Sequence, residues 1–254
     1  MRQLNEQNRI LHELLTMGEM LLTCGAEINR VEDTMTRLGR AYGAERVDIF
    51  VITSDIVLTI LFSDGTELTQ TRRISRNPAV DFRKLESLNA LSRRCCAAPL
   101  SAAEFHAALE EIDQKVRNIY VLYLGSVITA GGFAVFLGGS WADGLAAALI
   151  GVLVCFLQQK IAPVFRNAAF FQLLTGLLAG TAICLLCRIL PQLAVDKLSI
   201  GVIMLLIPGA ALTNAVRDML VGHTISGLLR LAESLLLALM LAIGFGSAIY
   251  LIGV

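Results

Sequence analysis

Charge is scarce in this sequence for its length. Charged side chains make up 17% of its 254 residues, and they balance at 21 basic against 21 acidic. Soluble domains carry about 25%. With no basic excess, the chain has no electrostatic footprint for nucleic acid. Six cysteines in a chain this long exclude a disulfide scaffold, and a hydrophobic content of 56% excludes disorder. A Walker loop, a dinucleotide fingerprint, a G-x-S-x-G elbow and an H-E-x-x-H helix are all missing, which excludes ATP-driven transport by this chain alone. Cys184-x-x-Cys187 has no second Cys or His pair near it, and His12, His106 and His223 are scattered. No metal site, cofactor or catalytic residue is therefore expected.

What charge there is lies mostly at one end. From residue 118 onward the acids and bases, His aside, reduce to Asp143, Lys160, Arg166, Arg188, Asp196, Lys197, Arg217, Asp218, Arg230 and Glu233. The expected architecture is an α+β cytosolic domain over 1–117 followed by an all-α five-helix transmembrane unit over 118–254. Met1 to Arg9 is polar rather than a signal-peptide core. Leu11, Leu14, Leu15, Leu21 and Leu22 recur at helical spacing, and a second helix runs from about Glu27 to Tyr42. Strands follow at Val47–Thr53, Ile56–Phe62 and Leu68–Ile74, with Asp64-Gly65 as a hairpin turn. After Asn77-Pro78, helical spacing resumes through Phe82, Leu85, Leu88 and Leu91, and Ser101-x-x-Glu104 is a capping box.

Apolar stretches at 119–137, 141–157, 168–188, 198–216 and 225–252 predict five spans, since crossing takes about 20 residues. Four spans is the fallback count. With the polar domain inside, Lys160, Arg166, Arg217 and Arg230 fall on the cytoplasmic side against Arg188 and Lys197 outside, as positive-inside requires. The protein is thus expected in the inner or plasma membrane, multi-pass, with its C-terminus outside. Gly176-x-x-x-Gly180, Gly125 with Gly131 and Gly132, and Gly244 with Gly246 let helices approach closely. An odd span count suggests half of an inverted-repeat transporter, completed by another subunit or by self-association.

The fourth stretch carries the most informative feature, Ile207-Pro208-Gly209 near its middle. The plain reading is a kink; the functional one is a broken helix whose second half points its positive end at a carboxylate. Asn214, Arg217 and Asp218 share one face after the break, and His223, Arg230 and Glu233 follow. Ionisable groups at this depth are costly and functional by default, so these residues form the candidate substrate path, with Asp143 as a weaker member. In the N-terminal domain Glu27, Arg30, Glu32 and Asp33 crowd one helix start, where a solvated face is the default, and Arg72-Arg73-Ile74-Ser75-Arg76 reads as a strand end or a docking surface.

Gly25-Ala26-Glu27-x-x-Arg30-Val31-Glu32-Asp33, the Arg72-Arg73 stretch, Leu88-Asn89-x-Leu91-Ser92-Arg93 and Gly138-Gly139-Ser140-Trp141-x-Asp143 lead in order to one long motif. That motif is Pro208-Gly209-x-x-x-x-Asn214-x-x-Arg217-Asp218-x-x-x-Gly222-His223-x-x-Ser226-Gly227-x-x-Arg230. Together they resemble the threonine/serine exporter family. The resemblance implies a cytosolic domain before a five-span unit, and specifically the larger subunit of the split form associated with succinate export beside a small multi-span membrane partner. It carries over no residue-level mechanism. The expected function is export of a small carboxylate-bearing solute, an amino acid or a dicarboxylate, across the lipid bilayer. The alternatives are a membrane-anchored enzyme and a signalling subunit. Five spans with a broken helix exceed what an anchor needs, and the soluble part shows no nucleophile–base pair.

Overall fold

The computed structural model describes residues 2–74, 80–115 and 118–252; Asn77-Pro78 and the Ser75-Arg76 end of the basic stretch lie outside them. The chain opens with α1 (Arg2–Thr23) and α2 (Ile28–Ala41). Leu11, Leu14, Leu15 and Leu21 on α1, and Ile28, Val31, Met35 and Leu38 on α2, are each at most 2% exposed. Each set is the apolar stripe of a helix with one face in a core. Next come β1 (Ala44–Ile52), β2 (Asp55–Phe62) and β3 (Glu67–Arg73), an antiparallel sheet of order β1-β2-β3. Ile52 pairs with Asp55 across a two-residue turn, and Gly65 takes the positive φ of 81° that closes the second hairpin. The central strand alternates: Ile56, Leu58, Ile60 and Phe62 are buried in the same core as the helices. Each stabilises by about 1.5–3 kcal/mol. Then α3 (Phe82–Ala97) starts on Asp81, which accepts from the Lys84 amide, and α4 (Ala102–Gln114) on the reciprocal Ser101–Glu104 box. Arg72 turns back onto α1, 3.3 Å from Glu19 and 3.2 Å from His12. It is a strand-to-helix tie.

The apolar part begins with α5 (Ile119–Phe136) and α6 (Trp141–Phe156). The second span runs past the expected 157, because a π-helical turn and a 3-10 turn carry α6 on to Val164, 24 residues in all. α7 (Ala168–Ile189) and α8 (Val195–Leu206) follow, then α9 (Gly209–Leu220) and α10 (Thr224–Ile252). Four stretches among the described residues are long and apolar enough to cross a membrane, and a fifth is gained if α8 and α9 form one broken span. The break has a local cause. Ile207 is extended, as a residue before proline prefers, and Pro208 offers no N–H to the Met204 carbonyl.

Small residues set the helix spacing. A Cβ on Gly201 would come 2.5 Å from the Ala130 carbonyl oxygen of α5, and one on Gly176 would come 2.9 Å from that of Leu241 on α10. Gly131, Gly180 and Gly244 are similarly close to a neighbour, whereas Gly125, Gly132 and Gly246 face open space. Asp143 is 4% exposed and fully engaged: one oxygen takes the Ser140 amide and hydroxyl at 2.8 and 2.7 Å, the other the Ala194 amide at 2.8 Å. It caps α6 and ties it to the start of α8.

The chain forms two compact units, residues 1–115 with 210–231, and residues 116–209 with 232–254. The segment after the break therefore clusters with the N-terminal elements.

In the first unit, His106 of α4 sits 3.1 Å from both oxygens of the buried Glu13 on α1. That hydrogen bond and charge hold the imidazole pKa above its ordinary 6.5. A raised folded-state pKa contributes stability that is full below the unfolded value and lost as pH rises through the folded one. The unfolding midpoint of the first unit should therefore fall between about pH 6 and pH 8. His106→Gln should flatten that slope in thermal melts, and an unchanged slope would remove the assignment.

Candidate functional site

The site grows from one helix start that lacks its own cap. Glu27 occupies the N-cap position of α2, yet its side chain makes no capping hydrogen bond. The first helical amide, Ile28 N–H, donates instead to Asp218 Oδ1 at 3.2 Å, from a residue 190 positions along the chain. A carboxylate at a helix N-terminus satisfies an orphan donor and the positive end of the dipole together. Asp218 is 2% exposed. Its other oxygen meets Arg230 Nη1 at 3.1 Å, with the Arg230 side chain 12% exposed.

Around this pair the contacts repeat in chain order. Gly25 takes a φ of 90°, a left-handed conformation that suits glycine and ends α1. The turn presents two carbonyls: Gly25 O accepts from Asn214 Nδ2 at 3.0 Å, and Ala26 O from Arg230 Nη2 at 3.4 Å. Arg217 Nη1 lies 2.7 Å from Glu27 Oε1, and this pair is more open, at 58% and 21% exposure. His223 Nε2 is 3.7 Å from Glu32 Oε2, and Ser226 Oγ donates to Val51 O at 3.2 Å. Burial pushes the Glu32 carboxyl up from its ordinary range, against the opposing pull of His223 and a backbone contact with Val51. At α9–α10, Gly227 packs so closely that an added Cβ would meet the Ala215 carbonyl oxygen at 2.7 Å.

Asn214, Arg217, Asp218, His223 and Arg230 are thus brought together with Glu27 and Glu32, so two groups that the sequence offered separately form one latch. Arg30 and Asp33 stay exposed, the latter pairing with Arg37 at 2.9 Å. Glu233 is exposed while Arg230, one turn earlier, is turned inward. Pro208 and Gly209 stand at the break, and Asp143 is occupied in capping. Sequence reasoning missed Gln172 of α7, whose amide donates to the Leu206 carbonyl at 2.9 Å, closing one of the acceptors freed at the end of α8. A lone amide in so apolar a helix was the available signal. A cleft of about 410 Å³ lined by Gln7, Tyr42, Asp64 and Ser101 shares no residue with the latch.

The family model of threonine/serine exporters, ThrE, matches residues 12–252, which includes every member of this latch. The chain belongs to the threonine/serine exporter family. It is 26% identical to a "Probable succinate transporter subunit" of Klebsiella aerogenes, covering 94% of this chain and 93% of that one. The protein of the same name in Escherichia coli K12 is 25% identical over 99% and 98%. A "Probable threonine/serine exporter" of Mycobacterium tuberculosis is 22% identical over 93% of this chain but only 45% of its own length. No solved structure matches the chain significantly. As a member of this family it is a membrane exporter, and its relatives' description as a subunit implies a partner.

The latch makes a stability prediction. Removing one partner of a buried ion pair leaves the other charge uncompensated, at about 3–5 kcal/mol. Arg230→Ala should lower the unfolding midpoint strongly. Asp218→Asn, which keeps an acceptor for Ile28 N–H, should cost less, and Arg230→Met with Asp218→Asn should recover much of the loss. Denaturation of the detergent-purified chain checks the order; a wild-type midpoint for Arg230→Ala would show that the pair holds nothing.

Proposed function

We propose that this chain is the larger subunit of a two-protein secondary exporter for small carboxylate-bearing metabolites, threonine- or serine-type amino acids or dicarboxylates such as succinate. Its N-terminal α/β elements lie in the cytoplasm, its C-terminus outside, and a small multi-span membrane subunit completes the pathway. The observation that carries this reading is the latch from Gly25–Glu32 to Asn214–Arg230. The contacts of His223 with Glu32 and of Ser226 with Val51 support an α9–α10 link on the same side of the bilayer as the N-terminal elements. The chain must then cross an even number of times between residues 118 and 223. α5, α6 and α7 supply three crossings, so α8 with α9 supplies the fourth as one broken span, and α10 is the fifth.

The break gives such a span two functional ends. The positive end of α9 starts at Gly209 and suits a carboxylate approaching along the pathway. The far end of α9 carries Asn214, Arg217 and Asp218, held to α1 and α2. Movement of the N-terminal elements is therefore transmitted to the half-helix. The buried Asp218–Arg230 pair acts as the fixed pivot and the exposed Arg217–Glu27 pair as the contact that opens and recloses. The shorter alignment with the Mycobacterium relative, 45% of its length, leaves room in that protein for a fused second unit, which here is the separate partner.

Two experiments test this. In a cysteine-free background, Trp141→Cys should react with a membrane-impermeant thiol reagent on intact cells, and Arg30→Cys only after permeabilisation. The reverse pattern would overturn the orientation. In cells expressing the chain with its partner, Arg217→Glu should cut efflux of succinate, threonine or serine by tenfold or more at normal abundance, about 1.4 kcal/mol of lost coupling. Glu27→Arg should do the same, and the double reversal should restore efflux. Wild-type efflux from both single variants would leave the pair a passive rim contact.

A further inference from the structure

The break at Ile207–Gly209 leaves the end of α8 short of donors, and the second unit supplies one from a neighbouring helix. In an unbroken helix the carbonyls of residues 203 to 206 would take the amides four positions on. Ile207 N–H does reach the Ile203 carbonyl, at 3.0 Å, but Pro208 has no N–H to offer Met204. Gly209 N–H turns to Ile207 O at 2.8 Å and so leaves Leu205. The Leu206 carbonyl takes the side-chain amide of Gln172 at 2.9 Å, a donor from 34 positions away.

Gln172 is held where it stands. At the next residue α7 meets α10: Gly244 lies against the Leu173 carbonyl, and a Cβ added there would also meet the Leu177 amide nitrogen at 2.8 Å. Gly176, one turn beyond Gln172, is as tightly set, since an added Cβ would come 2.9 Å from the Leu241 carbonyl oxygen. Such backbone contact fixes α7 against α10 at the level of Gln172. The earlier part of α8 is fixed too, by Gly201 against Ala130 of α5. Between these two anchored helices, the Gln172 amide bonds the last carbonyl of α8. An amide donates without carrying a charge into the membrane. Methionine would fill the same length, so what glutamine adds here is the donor.

We propose that Gln172 is a positioning residue for transport: it takes the Leu206 carbonyl in place of a helical amide, which lets the chain leave the helix at Ile207 and sets where α9 can start. The inference rests on the broken-span reading of the exporter and adds the residue that sets the break. Gln172 acts through the end of α8 and not on the solute, so its loss should act on rate rather than on recognition.

The test is efflux of succinate, threonine or serine from cells expressing the chain with its partner, at matched abundance in the membrane. Gln172→Met should lower the maximal rate about tenfold and leave the KM for internal solute within about twofold. Gln172→Glu makes the donor conditional, because a protonated carboxyl can donate to the Leu206 carbonyl and an ionised one cannot. Its efflux, as a ratio to wild type at the same pH, should rise as internal pH is lowered from about 8 to about 6, while the Gln172→Met ratio stays flat. If Gln172→Glu is not inserted, the rate-against-KM split of Gln172→Met decides alone. A wild-type maximal rate for Gln172→Met, or a Gln172→Glu ratio as low and as flat as that of Gln172→Met, would overturn the assignment. Neither result touches the exporter reading, which stands on efflux by the wild type.

Discussion

Among the described residues, one buried carboxylate lies at the centre of the contacts that join the start of this chain to α9 and α10. Asp218 closes the N-terminus of α2 through the Ile28 amide and is itself neutralised by Arg230, which also reaches the Ala26 carbonyl. The Ile28 amide and the Ala26 carbonyl thereby gain partners, and the 3.1 Å approach of Asp218 and Arg230 balances two charges held out of water. Gly25 makes the set possible, because its left-handed turn presents two successive carbonyls to Asn214 and Arg230. The more open contacts, Arg217 with Glu27 and His223 with Glu32, are individually weak in water. That weakness is in keeping with the opening and reclosing proposed above for the Arg217–Glu27 pair.

The apolar unit solves a different problem. Lipid supplies no hydrophobic drive between helices, so packing rests on close approach. Gly201 against Ala130 and Gly176 against Leu241 let backbones meet where any side chain would collide. Where a glycine has no neighbour, as at Gly125 or Gly132, the enrichment of glycine in membrane helices is explanation enough. Against this tight background the α8–α9 break is costly, and its acceptors are only partly re-satisfied, one of them by Gln172.

The helices of the N-terminal part, the three strands and the apolar stretches were all legible in the sequence because each announces itself by period or run length. Leu11 to Leu21 repeats at the helical period, β2 alternates, and Ser101 and Glu104 cap as their spacing demands. The break at Pro208 was legible for the same local reason, since proline removes a donor wherever it stands. The continuation of α6 through a π turn to Val164 was not, because no residue type signals a π turn.

Sequence by itself therefore determined which segments are helices, which are strands, where the fourth apolar stretch breaks and which residues are too polar for their surroundings. It also carried the family resemblance, since motif order is a property of the chain. Only the tertiary structure decided the partners. Arg217 and Asp218 are adjacent in sequence, yet one is open and paired with Glu27 while the other is buried beneath α2 and Arg230. Arg230 and Glu233 lie one turn apart, yet only the first turns inward. Asp143 reads like a path residue and proves to be a cap. Partner choice depends on contacts some 190 residues apart, and local spacing holds no record of which distant surface a side chain will meet.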